Sequence, residues 1–93
     1  MKKIEVEFDE AKRIKTMEER GLDFRDCAKV LQAPHLQFED NRKDYGEPRF
    51  QVFGWLDERR IVLTWTPRGM KHRIISMRHA HEEEFTTFKG ILD

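Results

Sequence analysis

The chain has 93 residues, 39% of them charged and 38% apolar, and it includes two Trp, one Tyr and seven Phe. That length accommodates one domain around a single core and no second, and so many aromatics exclude an intrinsically disordered polymer. Eighteen Lys and Arg balance eighteen Asp and Glu for a formal charge of zero, which excludes a protein that coats nucleic acid with its whole surface.

The charge is unevenly spread. Residues 1–41 carry eight basic and ten acidic side chains, residues 42–80 carry nine basic and four acidic, and residues 81–93 are acidic again. A basic middle between acidic ends suits a local polyanion site. Cys27 is the only cysteine, so no intrachain disulfide can form and nothing points to an oxidising compartment. Met1-Lys2-Lys3 leads into an alternating segment, not the apolar run of a signal peptide. No stretch approaches the ~20 apolar residues of a membrane span. A cytoplasmic location is the expectation.

Ile4-Glu5-Val6-Glu7-Phe8 alternates with the period of a half-buried strand. Asp9 stands where a helix N-cap belongs, and Ala11, Ile14 and Met17 recur at helical spacing, which predicts that they face the core. Gly21 is a natural stop. Asp23 then reads as the cap of a second helix, with Leu22 and Cys27 placed as a staple. Phe24, Cys27, Ala28 and Leu31 follow i, i+3, i+4, i+7 until Pro34 forbids continuation.

From Leu36 the period changes to two. Leu36–Asn41 is a weak strand, and 41–48 is polar and turn-like. Arg49–Leu56 and Arg60–Thr66 are rich in β-branched and aromatic residues and form a hairpin through Asp57-Glu58-Arg59. Pro67-Arg68-Gly69 is a turn by its chemistry. His72–Arg78 is the last strand, and His81–Leu92 is a closing helix with Phe85, Phe88 and Leu92 on one side. The order β-α-α-β-β-β-β-α predicts one α+β domain over residues 1–93, with a mainly antiparallel sheet and helices packed on one face.

Generic catalytic signatures are missing: no G-x-G-x-x-G, P-loop or G-x-S-x-G occurs. His79 and His81 have no carboxylate or Cys at ligand spacing, so no metal site is expected, and no cofactor motif is present. Cys27 lies on an apolar helical stripe and reads as core. What stands out is arginine at strand edges: Arg49, Arg60, Arg68, Arg73 and Arg78. Cleavage of RNA passes through a pentacovalent phosphorus whose extra negative charge must be met by fixed cations. Guanidinium suits this, since its fork meets two phosphate oxygens and stays charged. Glu47 can serve as general base for a ribose 2′-hydroxyl or as the ion-pair partner that orients Arg49. The competing reading is that these arginines merely solubilise an open sheet face.

Alternation along the last strand puts Ile74, Ser76 and Arg78 on one face and Arg73, Ile75 and Met77 on the other. Ser76 and Arg78 are expected on the open face with Thr64 and Thr66. Arg73 joins them only at the strand's start or beside a bulge, whereas Arg68, in a turn, escapes the constraint.

Five segments, in order, resemble the BrnT family of ribonuclease toxins. They are Phe8-Asp9-Glu10-x-Lys12, Arg20-Gly21-Leu22-x-Phe24, Tyr45-Gly46-Glu47-x-Arg49, Thr64-x-Thr66-Pro67-Arg68-Gly69, and Arg73-Ile74-Ile75-Ser76-Met77-Arg78 leading to Glu84 and Phe88. The chain departs from the family where Glu19-Arg20-Gly21 replaces Lys-His-Gly, where Phe8 replaces a frequent Trp, and where Met77 replaces Ala. The resemblance implies a RelE-like fold and a metal-independent endoribonuclease that inhibits translation. With that weighting, Glu47, Arg49, Arg68 and Arg78 are the expected catalytic group, and Arg20, Arg60, Thr66, Arg73 and Ser76 the expected RNA contacts. The resemblance also implies neutralisation by a BrnA-like ribbon-helix-helix antitoxin, with operator DNA bound only through the toxin–antitoxin complex. Trp55 is the first candidate for an interface anchor. Two alternatives remain: a catalytically inactive homologue acting through its antitoxin in operon repression, and a non-enzymatic binding module.

Overall fold

A computed structural model describes residues 3–88, apart from the side chains of Phe85, Thr87 and Phe88. Elements run in the order β1 (Val6–Glu7), α1 (Glu10–Arg20), a 3₁₀ turn (Phe24–Asp26), α2 (Cys27–Gln32), β2 (Leu36–Glu39), β3 (Phe50–Leu56), β4 (Arg59–Arg68), β5 (Lys71–His79) and α3 (Glu82–Phe88). The protein is thus α+β. The expected extension of α3 to Leu92 lies outside the described residues. The five strands form one sheet in the order β1-β5-β4-β3-β2. β1 pairs parallel to β5, and the other neighbours are antiparallel.

The core lies on one face of this sheet, under α2 and the 3₁₀ turn. Leu22, Phe24, Cys27, Val30 and Leu31 meet Val52, Leu56, Ile61, Leu63, Ile74 and Met77 there. Asp23 caps the turn by accepting from Arg25 N at 2.9 Å, so the chain enters α2 with Phe24 and Cys27 already directed inward. Close approach of α2 to β3 needs a residue without a side chain. A Cβ on Gly54 would meet Val30 Cγ1 at 3.0 Å and His35 Cβ at 3.2 Å.

α1 departs from expectation. Asp9 does cap it, accepting from Ala11 N and Lys12 N, and Gly21 ends it at φ 68°. Yet none of its residues is buried, and Ile14 and Met17 are 45% and 40% exposed. Polar contacts set its rotation instead. Arg13 reaches Asp23 at 3.5 Å, and Arg20 Nη1 donates to Met77 O at 2.8 Å, so the side turned toward the domain is the one bearing Arg13, Thr16 and Arg20.

The β4–β5 ladder also corrects the alternation read from the sequence. Thr64 opposes Ser76 and Trp65 opposes Ile74, so Ile75 bulges out with no partner. Ile74 and Met77 both reach the core in consequence, and Arg73, paired to Thr66, returns to the face of Ser76 and Arg78. Arg68 is a correction too: it lies within β4 opposite Lys71 and shares the parity of Thr66. Pro67 is tolerated in this strand because β3 pairing ends at Phe50–Trp65, so its missing N–H faces no neighbour.

Leu31, 6% exposed, tests the core. Leu31→Ala should lower unfolding free energy by ~2–5 kcal/mol, the range for a buried leucine losing its packing, as read by urea denaturation. A change under about 0.5 kcal/mol would place Leu31 at the surface.

Candidate functional site

The second face of the sheet is covered at its two ends. At one end the 40–49 loop closes over β4, where Thr66 Oγ1 donates to Pro48 O at 2.6 Å and Thr66 is wholly buried. At the other end Arg78 ties α3 to β5. Between them lie Thr64 and Ser76.

The loop is built on Asp40. Its carboxylate accepts from Arg42 N, Nε and Nη2 and from Tyr45 Oη at 3.3 Å, while its own N–H donates to Arg49 O at 2.7 Å. Gly46, at φ 73°, lets the chain reverse while its N–H reaches Asp44 Oδ1 at 2.9 Å. These contacts deliver Tyr45, Glu47 and Arg49 to the start of β3. The Arg49 guanidinium lies 4.1 Å from the Tyr45 ring centroid, and Lys43 Nζ lies 5.1 Å from the same ring. A cleft of about 580 Å³ opens beside them.

Glu47 Oε1 accepts from Arg68 Nη1 at 3.3 Å. Its expected pairing with Arg49 is therefore replaced by one with Arg68, and Arg49 reaches the carboxylate only through its charge. Glu47 Oε2 and Arg49 Nε are both shielded from solvent without a hydrogen-bond partner. Glu47 is held below the usual carboxylate range. The Thr66 hydroxyl contributes most, its single hydrogen being available either to Pro48 O or to this carboxylate; the Arg68 and Arg49 charges add to it against the cost of burial. A carboxylate so stabilised is a weak proton acceptor and a good anchor for a guanidinium.

The other arginines are placed as follows. Arg73 Nη1 donates to Glu7 Oε2 at 2.9 Å, across the β1–β5 pair. Arg78 forms a two-pronged pair with Glu84, at 2.8 and 2.9 Å. Glu84 also accepts from His81 N at 2.8 Å, and the Arg78 fork first, then this N–H, brings its carboxyl down to about 2. Arg20 uses Nη1 on Met77 O, and His79 Nε2 lies 3.0 Å from Arg20 O. Arg60 is exposed and opposes Trp55. Glu47, Arg49, Thr66 and Arg68 thus gather at one end, with Arg73 directly opposite Thr66 on β5. Arg78 opposes Val62, about 20 Å along the strand from Arg68 at ~3.3 Å per residue. Arg60 lies further still.

Reading the sequence for site residues missed Tyr45, Asp40, Glu7 and Glu84 as side chains that position these cations. The available signal was a carboxylate for each buried or half-buried arginine. Trp65 proves to be core filling: it stacks on Phe50 at 4.9 Å, lies 4.1 Å from the His72 ring, and donates to Gln37 Oε1. Burial pushes the Cys27 thiol up to about 12, so it offers no thiolate nucleophile. Among the described residues no group of three or more His, Cys, Asp or Glu gathers as metal ligands, and no helix is long and apolar enough to cross a membrane.

The chain is thus a small α+β domain with arginines and a carboxylate gathered at one end of a sheet face. The chain belongs to the BrnT family: residues 8–84 match the model described as ribonuclease toxin, BrnT, of type II toxin-antitoxin system. It is thus a member of a family of type II toxins with ribonuclease activity. Curated proteins provide no match.

Asp40 and Glu84 supply a pH test. Their carboxyls fall from ordinary values of 3.8 and 4.5 to about 2 in the folded protein, Asp40 chiefly through the Arg42 guanidinium. Depressed values contribute stability that is complete above the unfolded values and is lost as pH falls through the folded ones. The melting temperature should therefore drop between about pH 4.5 and 2. Asp40→Asn should melt lower at pH 7 and decline less steeply in acid. Parallel acid profiles for the two proteins would contradict this linkage.

Proposed function

We propose that the protein is a metal-independent endoribonuclease whose reacting phosphate sits at the Glu47–Arg68 end of the second sheet face. The observation that carries this reading is that Glu47, at the rim of a cleft it shares with Arg49, pairs with Arg68 and feels the charge of Arg49. In the proposed reaction the ribose 2′-oxygen gives its proton to solvent water and bonds to phosphorus, while the P–O5′ bond breaks and the leaving 5′-oxygen takes a proton from water. The products are a 2′,3′-cyclic phosphate and a free 5′-hydroxyl. Arg68 and Arg49 match the charge that grows on the phosphoryl oxygens, and Glu47 holds Arg68 in line for it. Arg68 is the easier cation to redirect. It is 47% exposed in a single long contact, of the kind worth at most ~1 kcal/mol. Arg73, Ser76 and Arg78 would extend the contact along the RNA strand, with Arg78 meeting a phosphate several nucleotides from the reacting one.

Toxicity in this reading comes from RNA cleavage that inhibits translation. A BrnA-like ribbon-helix-helix antitoxin would cover the second face and supply DNA recognition for operon repression. A chain with no net charge is a poor general DNA binder, which supports leaving operator contacts to the partner. Trp55 lies on that face, as does Phe38, which is 45% exposed. Both are suitable apolar anchors.

Purified protein freed of any partner tests the chemistry. Cleavage should persist in EDTA and leave cyclic or 3′-phosphate ends. Arg68→Ala should slow cleavage on the order of 100-fold, as for removal of one preorganised charge donor, with the fold retained. Glu47→Gln should lower the rate at every pH from 6 to 9, as an orienting residue would. Activity lost in EDTA and restored by Mg²⁺ would overturn the mechanism, and a flattened limb of the pH–rate profile in Glu47→Gln would make that residue the base instead.

A further inference from the structure

The rotation of α1 that exposes Ile14 and Met17 has a second effect. It turns Lys12, Lys15, Thr16, Glu19 and Arg20, spaced i, i+3, i+4, i+7, i+8, toward the outer edge of β5. β1 covers that edge only at His72 and Arg73. Beyond it a cleft of about 260 Å³ lies between this stripe and the bulge, where Ile75 and Ser76 form the opposite wall and Phe24 contributes the floor. Arg68, Arg73 and Arg78 each spend charge on a carboxylate. Neither Lys12 nor Lys15 forms an ion pair with a described residue. Arg20 commits only one of its five N–H groups, to Met77 O. Three cations stand against the single acid Glu19, beside two hydroxyls that can donate to an anion.

We infer that this cleft is a second phosphate subsite, in which Lys12, Lys15 and Arg20, with the Thr16 and Ser76 hydroxyls, hold a backbone phosphate of the RNA strand. The inference rests on the ribonuclease reading for the identity of its ligand. Its volume is below the roughly 300–1,000 Å³ of sites for drug-sized molecules, which suits a phosphate and its sugar, not a whole oligonucleotide. Ser76 joins it to the second face. A strand lying along Arg73, Ser76 and Arg78 can therefore leave the sheet over the edge of β5 and place its next phosphate against α1.

The test is fluorescence anisotropy with a labelled, fully 2′-O-methylated RNA hexamer, which cannot be cleaved, on antitoxin-free protein at ~0.15 M salt, where the Debye length is ~8 Å. Lys12→Gln/Lys15→Gln should bind roughly three- to tenfold more weakly, as expected for two exposed ionic contacts. The slope of log Kd against log salt should fall by about 1.4, or ~0.7 per lost contact on a single strand. Glu19→Gln should bind more tightly. Glu18→Gln, which removes the same charge from a residue outside the cleft lining, should change affinity less than Glu19→Gln. Inorganic phosphate titrated into labelled protein should shift the Thr16 and Ser76 amide resonances in wild type and not in the double variant. Melting temperatures establish that each variant is folded.

A wild-type protein that bound and cleaved RNA while the double variant bound it equally well would overturn the subsite alone. Unchanged RNA affinity with weakened antitoxin binding would assign the stripe to the protein partner and would equally overturn it. A wild-type protein that neither bound nor cleaved RNA would overturn the ribonuclease reading, and the RNA assignment with it.

Discussion

The unpaired residue at Ile75 governs the rest of the molecule. A regular antiparallel pairing of β4 with β5 would send Ile74 to the face of Ser76 and Arg78 and bury Arg73 beside Met77. A buried guanidinium without full pairing costs several kcal/mol, while Ile75 would take the core place that Ile74 holds. One extra residue in β5 removes the penalty on Arg73. Ile74 and Met77 close the core under α2, while Arg73 comes to the face of Ser76 and Arg78 and finds Glu7 on β1. The same bulge fixes where β1 can pair and leaves the far part of β5 to be satisfied by α1, through Arg20 and Met77 O.

Charge is handled by local pairing throughout. Asp40 is nearly enclosed and held by Arg42 and Tyr45, so the loop that carries Glu47 and Arg49 is tied together by polar contacts and not by a helix or strand of its own. The strength of the remaining pairs ranks their availability. The Arg78–Glu84 fork satisfies both carboxylate oxygens and belongs to the stronger, geometrically specific kind. The Arg68–Glu47 contact is single, longer and half in solvent. Arg68 gives Glu47 one long contact and would keep N–H groups for a phosphate while Glu47 steadies it, whereas two nitrogens of Arg78 are spent on Glu84; the proposal therefore assigns the reacting phosphate to the Arg68 end. Arg49, with an unpartnered Nε and its plane against Tyr45, retains charge to contribute there.

Much of the architecture was legible in the sequence because burial and periodicity coincide in it. Phe24, Cys27 and Leu31 repeat at helical spacing and are core; the hairpin of β3 and β4 alternates and pairs as expected. α1 was misread for a physical reason. Ala11, Ile14 and Met17 have helical spacing, but salt bridges and a carbonyl acceptor, which leave no periodic signature, decided its rotation. Ile74 was misplaced on the face of Ser76 and Arg78, and Arg73 was allowed there only on condition of a bulge, because a bulge is a single-residue event that a period-two reading cannot locate. Arginines at strand edges pointed to the site, but their carboxylate partners are distant in sequence: Glu7 lies 66 residues from Arg73 and Glu47 21 from Arg68. The family resemblance indicated the polar residues to examine, and only the register shows which of them meet.

The central claim is that RNA phosphate is held at the Glu47–Arg68 end of the second face. It is tested most directly by amide chemical-shift mapping with a dinucleotide whose 2′-hydroxyl at the scissile position is replaced by hydrogen, so that it binds without reacting. The account predicts that the largest shifts cluster at Glu47, Arg49, Thr66, Arg68 and Arg73, with little change at Cys27–Gln32 across the sheet. Shifts centred on α2, or on Arg60 and Trp55 with none at Glu47 and Arg68, would contradict it.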